Sequence, residues 1–80
     1  MNRRTKADCV EYCFRALENQ REREMSDFYK SAIDIKRARD TVYVECKLFC
    51  YKNGYELYTF SDIWSKAIKK YSIAHGIPIK

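Results

Sequence analysis

The segment that most constrains the fold runs from residue 41 to residue 60, where apolar side chains alternate with polar and aromatic ones around Asn53-Gly54. The apolar positions that repeat with a period of two are Val42, Val44, Cys46, Leu48 and Cys50. This period, with β-branched and aromatic residues, is typical of a strand, and Asn-Gly is typical of a type I′ turn. The segment therefore predicts a β-hairpin. One face would carry Leu48, Cys50 and Leu57, and the other Phe49, Tyr51, Tyr58 and Phe60.

Helical spacing precedes the hairpin. Thr5 followed by Asp8 is a capping-box pattern, and apolar residues then repeat at i, i+3, i+4 and i+7 from Val10 to Leu17. A second stripe continues from Met25 toward Arg39 after the polar residues 19–24. We favour a separate second helix with Ser26 as its cap and an end near Arg39. The alternative is one long bent helix.

A last helix follows the hairpin. Ser61 is predicted to be its N-cap, with Asp62 beside the positive end of the helix, and Gly76 is predicted to end it. The apolar residues 77–79 are a candidate edge strand. The predicted order is ααββα in a single α+β domain that spans residues 1–80, a length that allows one core and no enclosed active-site cleft.

Four cysteines occur as two pairs with the same spacing, Cys9 with Cys13 and Cys46 with Cys50. Such cysteine pairs are candidate ligands of a zinc ion. On a strand, however, Cys46 and Cys50 would lie roughly 13 Å apart, which is too far for one ion. We therefore predict buried structural thiols and no metal site.

Positive charge is unevenly distributed in this chain, which has a net charge of +5. One dense cluster comprises Lys36, Arg37 and Arg39, and a second on the last helix comprises Lys66, Lys69 and Lys70. Basic residues near the end of a helix also complement its dipole, and that interpretation stays open. If the two clusters lie together, they form a patch that binds phosphate groups.

The predicted hairpin supplies a second candidate surface, on which Lys47 is interleaved with aromatic rings. Exposed Tyr51 and Tyr58 could stack on the bases of single-stranded RNA while lysines contact the phosphates. The same rings could instead form packing in the core.

Catalytic and cofactor motifs are absent from the sequence. The two glycines stand apart, so there is no phosphate-binding loop, and the single histidine, His75, lies at a predicted helix end. We predict a binding protein without a cofactor, and not an enzyme. The charged start and the lack of a long apolar run predict a cytoplasmic protein with reduced cysteines and no membrane contact.

In size, basic balance and use of Tyr, Lys and Cys, the chain resembles the small early proteins of T-even-type bacteriophages. That group includes TifA-like inhibitors of the ToxN endoribonuclease. The resemblance covers the whole chain without a diagnostic motif. It implies a counter-defence factor that acts by occupancy in the host cytoplasm, and it makes Lys36, Arg37 and Arg39 the first residues to test for contact with RNA.

Two functions follow from these patterns. The first is binding of RNA or a ribonucleoprotein through the basic clusters and tyrosines. The second is a protein-protein inhibitor or adaptor, with homodimerisation left open, that uses an exposed apolar stripe such as Met25, Phe28 and Ile35 against a host protein.

Overall fold

The structure is a computed structural model that describes residues 4–26 and 29–76. It contains three α-helices, α1 (Lys6–Met25), α2 (Ala32–Lys52) and α3 (Leu57–His75), and the described residues include no strand. The predicted ααββα order and α+β class are wrong, and the architecture is all-α. Phe28 and the candidate strand at 77–79 lie outside the described residues.

The start of α1 follows the predicted capping box. The Thr5 hydroxyl accepts a hydrogen bond from the Asp8 backbone N–H at 3.1 Å, and the Asp8 carboxylate accepts one from the Thr5 N–H at 3.2 Å. This exchange satisfies two backbone donors that the first helical turn leaves without partners. The polar residues 19–24 continue this helix, and Ser26 caps its C-terminus.

The second helix is separate from the first, as predicted, but its limits differ from the prediction. Ser31 is its N-cap, because the Ser31 hydroxyl accepts a hydrogen bond from the Asp34 N–H at 3.2 Å. The predicted cap at Ser26 is therefore wrong. The predicted end near Arg39 is also wrong, since α2 continues to Lys52.

Residues 42–52 fit a helix as well as a strand, because they are apolar at both spacings. Val42, Cys46 and Cys50 recur every four residues, and all three are buried. Val44 and Leu48 lie on another face of α2 and are exposed. A strand would place all of these apolar residues on one face, whereas a helix divides them between two faces. Contact with α1 favours the helix, because it buries the face that carries Val42, Cys46 and Cys50.

Asn53-Gly54 ends α2 instead of closing a hairpin. Asn53 is the C-cap and Gly54 adopts a left-handed conformation with φ of 86°. The Gly54 N–H donates to the Tyr51 carbonyl at 3.0 Å, and the Tyr55 N–H donates to the Cys50 carbonyl at 3.1 Å. These two bonds form a Schellman motif, which needs the same positive φ as a type I′ turn.

The third helix begins earlier than predicted. Its N-cap is Glu56, which makes no side-chain capping bond, and Ser61 lies inside the first turns of the helix. The predicted capping role of Ser61 is wrong. The predicted end at Gly76 is confirmed, since Gly76 has φ of 64° and its N–H donates to the Ser72 carbonyl.

The helices pack in an up-down-up arrangement. Polar side-chain contacts of α1 with α3 advance together along both helices, from Lys6–Asp62 to Glu18–His75, so these helices run parallel. α2 runs antiparallel to them and joins Arg39 to Glu24 near the far end of α1. Eight buried residues form the core: Cys9, Cys13, Val42, Cys46, Cys50, Phe60, Ile63 and Ala67.

The rings predicted to share one hairpin face separate in the bundle. Phe49 stacks on Tyr12 of α1, with ring centroids 3.8 Å apart and planes 2° from parallel. Phe60 is buried and contacts the edge of the Tyr43 ring. Tyr51 and Tyr58 are exposed. The predicted aromatic face therefore divides into core residues and surface residues.

Candidate functional site

An apolar stripe lies on the face of α2 that points away from the core. Val44, Leu48 and Tyr51 are spaced i, i+4 and i+7, which places them on one side of the helix. Their exposed fractions are 49%, 52% and 69%. The opposite face of α2 already buries Val42, Cys46 and Cys50 in the core, so the helix has a second apolar face that is open to solvent.

The start of α3 lies across from this stripe and encloses a groove of about 420 Å³. The Schellman turn reverses the chain so that Leu57, the first residue of α3, stands at the groove with 57% of its surface exposed. The Tyr55 hydroxyl donates to the Arg4 carbonyl at 2.7 Å, which holds the Tyr55 ring at one end. The groove is lined by Val44, Lys47, Leu48, Tyr51, Tyr55, Leu57 and Phe60.

Lys47 is the charged side chain among these lining residues. It forms no ion pair with a carboxylate in the described part of the chain. Tyr58, next to Leu57 on α3, is 75% exposed. The groove is therefore apolar, with one ammonium group available to a ligand.

The predicted basic cluster on α2 is largely neutralised. Arg39 donates two hydrogen bonds to the Glu24 carboxylate, at 2.9 and 2.6 Å. This contact lowers the pKa of Glu24 and raises that of Arg39. Lys36 pairs with Asp40 at 3.2 Å. Arg37 makes no ion pair with any described carboxylate, so it is the member of the cluster that remains available to an external anion.

Two of the three α3 lysines are also paired. Lys66 contacts Asp62 at 3.3 Å, and Lys70 donates to Glu11 of α1 while its Nζ lies 4.6 Å from the Phe14 ring centroid. The hydrogen bond from Lys70 lowers the pKa of Glu11. Lys69 has no carboxylate partner among the described residues. Of these lysines, Lys70 therefore links α3 to α1, whereas Lys66 is paired within α3.

The two basic clusters do not form one patch. Arg39 lines a depression with Trp64, Ile68 and Tyr71, whereas Lys66, Lys69 and Lys70 line another with Phe14 and Ile73. On a helix with 3.6 residues per turn, these two sets of α3 residues lie on different faces. The continuous phosphate-binding surface expected from the sequence is therefore not assembled.

Two of the nine predicted binding residues do come together. Lys47 and Tyr51 line the groove, whereas Tyr58 is exposed on α3 and is not part of the lining. The sequence interpretation missed Val44, Leu48 and Leu57 as site residues. The i, i+4, i+7 spacing of Val44, Leu48 and Tyr51 indicated an apolar face of a helix, but the assignment of this segment as a strand concealed it.

His75 has a structural contact. Its Nε2 lies 3.2 Å from the Glu18 carboxylate, and its ring lies against Tyr71 with centroids 4.7 Å apart. Across residues 4–26 and 29–76, no group of three or more His, Cys, Asp or Glu side chains is arranged to hold a metal ion. The apolar groove is thus the feature that best fits a ligand.

None of the described helices has the length and apolar character needed to cross a membrane. No protein-family model, curated protein or solved structure matches this chain. The resemblance to bacteriophage early proteins therefore stays a prediction.

Proposed function

We propose that this chain is a protein-binding module that holds an amphipathic helix of an acidic partner in the groove between α2 and α3. The observation that carries the proposal is the apolar surface formed by Val44, Leu48, Tyr51 and Leu57, each of which is about half exposed or more. A contiguous apolar surface on a small protein commonly marks an interaction site, whereas isolated exposed apolar residues do not.

The shape of the groove supports a helical ligand. The stripe from Val44 to Tyr51 spans eight residues of α2, or roughly 10 Å along the helix axis. That length accommodates two turns of a partner helix, which would present apolar side chains at i, i+3 or i+4, and i+7. The α2 helix is itself rigidly held by its buried face, so the surface is formed before the ligand binds.

Charge supports an acidic partner over a second copy of this chain. Lys47 lines the groove, and the chain carries a net charge of +5. Two copies joined groove to groove about a twofold axis would bring two Lys47 ammonium groups close together in an apolar interface, which is costly. A carboxylate on a partner helix would instead pair with Lys47 and be attracted over a long range.

A module of this kind acts by occupancy, without chemistry of its own. That mode agrees with the counter-defence inhibitor implied by the bacteriophage resemblance, in which the partner would be a host toxin or defence enzyme in the cytoplasm. The groove gives that hypothesis a definite surface to test.

Binding of single-stranded RNA is the second candidate function. It is favoured by the exposed ring of Tyr51, which lines the groove with Lys47, and by the exposed ring of Tyr58 on α3, because exposed rings can stack on bases. It is weakened by the ion pairs of Lys36, Arg39, Lys66 and Lys70, which occupy cations that phosphate groups would need.

The proposal is tested with two synthetic amphipathic helical peptides. Both carry leucines at i, i+4 and i+7, and one carries glutamates at the flanking positions where its twin carries lysines. Calorimetry and methyl chemical shifts of Val44 and Leu48 report binding. We expect the glutamate peptide to bind at least about tenfold more tightly than its twin, with shifts confined to the groove.

Matched variants locate the binding surface. Leu48→Asp should reduce affinity for the glutamate peptide by at least about tenfold, because it introduces a charge into the apolar contact. Ile73→Asp is the control, since Ile73 is 73% exposed on a different surface of α3. Equal losses in both variants, or equal binding of both peptides, would refute the proposal. Salt-sensitive binding of single-stranded RNA that Tyr51→Ala abolishes, with neither peptide bound, would establish the second candidate instead.

A further inference from the structure

The four cysteines, which the sequence analysis treated as separate pairs, meet in the core between α1 and α2. All four are fully buried, with exposed fractions of 0%. Cys46 and Cys50 are one turn apart on α2, so the predicted separation of roughly 13 Å, which assumed a strand, is wrong. Cys9 and Cys13 are likewise one turn apart on α1. Each helix therefore presents two thiols to the other.

Thiol contacts connect the four residues in a definite order. The Cys50 thiol interacts with the thiols of Cys9 and Cys13, and the Cys13 thiol also interacts with that of Cys46. The contacts thus run from Cys9 to Cys50, from Cys50 to Cys13 and from Cys13 to Cys46. Only one set of two pairs joins contacting thiols and includes all four cysteines, namely Cys9 with Cys50 and Cys13 with Cys46.

The register of the helices supports the same matching. In an antiparallel pair of helices, a residue four positions later on α1 faces a residue four positions earlier on α2. If Cys9 faces Cys50, Cys13 therefore faces Cys46. Bonds within one helix are excluded, because Cβ atoms four residues apart on a helix are about 5–6 Å from each other, beyond the 3.5–4.5 Å that a disulfide spans.

We propose that this thiol cluster is a modification site at which two interhelical disulfides, Cys9–Cys50 and Cys13–Cys46, form with a small-molecule disulfide such as glutathione disulfide as the oxidant. The two bonds would lock α1 to α2 in the geometry that the folded chain already has. The cluster is distinct from the groove, and the proposal does not depend on the function of the groove.

Each bond forms by two exchange steps. A cysteine thiolate attacks one sulfur of glutathione disulfide, which breaks the oxidant's S–S bond and releases one glutathione thiolate. The partner cysteine thiolate then attacks the protein sulfur of the mixed disulfide and releases the second glutathione. Two protein thiols are oxidised, one glutathione disulfide is reduced to two glutathione thiols, and the two thiol protons pass to those products.

Burial determines when the exchange can occur. Desolvation raises the pKa of Cys50 to about 12, and the contact with Cys46 together with burial raises that of Cys13. The reactive thiolate is therefore scarce in the folded chain, and a bulky oxidant has no access to it. The bonds form during folding or in a locally opened state, and burial then protects them from reductants.

Zinc binding is the other chemistry open to four thiols that meet in one place, since four thiolates can bind zinc tetrahedrally once each has lost its proton. The described residues contain no group arranged to hold a metal ion. Metal binding is therefore an alternative outcome of the test.

The test refolds the full chain from denaturant in a buffer of glutathione and glutathione disulfide without metal, and in parallel with zinc chloride and a reductant. Intact mass should fall by about 4 Da in the first sample, because two bonds remove four hydrogens. Cleavage after Glu11, after Arg15 and after Lys47 places each of the four cysteines in a separate peptide, so peptide mapping assigns the bonds. We expect Cys9 linked to Cys50 and Cys13 linked to Cys46, and a rise in Tm of more than about 10 °C over the reduced protein.

Two double variants with equal cysteine content provide a control. Cys9→Ala with Cys50→Ala leaves a facing pair and should still form one bond, whereas Cys9→Ala with Cys13→Ala leaves two cysteines on α2 and should form none. If these variants fail to fold, the wild-type map decides alone. Four free thiols after refolding, a different connectivity, a lower Tm on oxidation, or stoichiometric zinc that resists a weak chelator would each overturn the proposal.

Discussion

The Arg39 guanidinium binds the Glu24 carboxylate through two hydrogen bonds of 2.9 and 2.6 Å, and it thereby joins the start of α2 to the end of α1. Gln20 donates to the same carboxylate at 3.0 Å and accepts a bond from the Tyr29 hydroxyl at 3.0 Å. Arg39, which the sequence placed in a phosphate-binding cluster, thus links α1 to α2 and is not available to bind phosphate.

A double-mutant cycle measures this contact. Glu24 is mostly covered, whereas the Arg39 side chain is 65% exposed, so solvent screens the pair. We expect a coupling energy of about 0.5–1 kcal/mol for Arg39→Ala with Glu24→Ala, from urea unfolding. Lys36→Ala with Asp40→Ala is the matched control, and its fully surface-exposed pair should give no more than about 0.5 kcal/mol. Equal coupling in both cycles would contradict the structural role of Arg39.

Acid should destabilise the fold in a defined range. Hydrogen bonds from Lys70, Arg39 and Lys6 lower the pKa values of Glu11, Glu24 and Asp62, respectively. A carboxyl whose folded pKa lies below its unfolded value stabilises the fold at pH above the unfolded value, and that stabilisation is lost as the pH falls through the folded pKa.

The free energy of unfolding should therefore stay level from pH 7 to about 5 and decline below about 4.5, where unfolded Asp and Glu begin to bind protons. Denaturant titrations at each pH measure this. Replacing Glu11 and Glu24 by Gln and Asp62 by Asn should flatten the decline. An unchanged decline in that triple variant would show that other groups cause it.

Two of the predicted N-caps, Thr5 and Ser61, should respond differently to alanine. Thr5→Ala should cost about 1 kcal/mol, because it removes the hydroxyl that accepts from the Asp8 N–H. Ser61→Ala should be neutral or stabilise by a few tenths of a kcal/mol, because Ser61 is exposed inside α3, where alanine is the better helix former. Thermal and urea unfolding of both variants test this, and a loss near 1 kcal/mol for Ser61→Ala would place the start of α3 at that residue.

The exposed side chains of the groove should contribute little to stability, in contrast to Phe60, the buried residue of its lining. Leu48→Ala should cost less than about 1 kcal/mol, since Leu48 is 52% exposed. Phe60→Ala should cost about 3–5 kcal/mol of stability, because Phe60 is only 1% exposed and its truncation leaves a cavity beside Tyr43 and Trp64. Urea unfolding compares the two variants. A large loss in Leu48→Ala would mean that this face serves packing and not a ligand.

Asn53-Gly54 shows how far a local signal reaches. The pair predicted a type I′ turn that closes a hairpin, which is wrong, although the chain does turn here and Gly54 has the positive φ, 86°, that such a turn also needs. It could not determine whether a helix or a strand precedes the turn, because a Schellman motif and a type I′ turn both need a positive φ there. Residues 42–52 carried both spacings, and the contact of Cys46 and Cys50 with Cys9 and Cys13 made the helical spacing the favourable one.

The amino-acid sequence by itself determined the helix start at Thr5, the helix end at Gly76 and the positive charge of the chain, because each depends on neighbouring residues or on composition alone. Only the tertiary structure decided the state of residues 41–60, the pairing of the basic residues and the exposure of Val44 and Leu48. The physical reason is that burial and ion pairing join residues far apart in the chain, such as Glu11 with Lys70, and no local pattern specifies which of them meet.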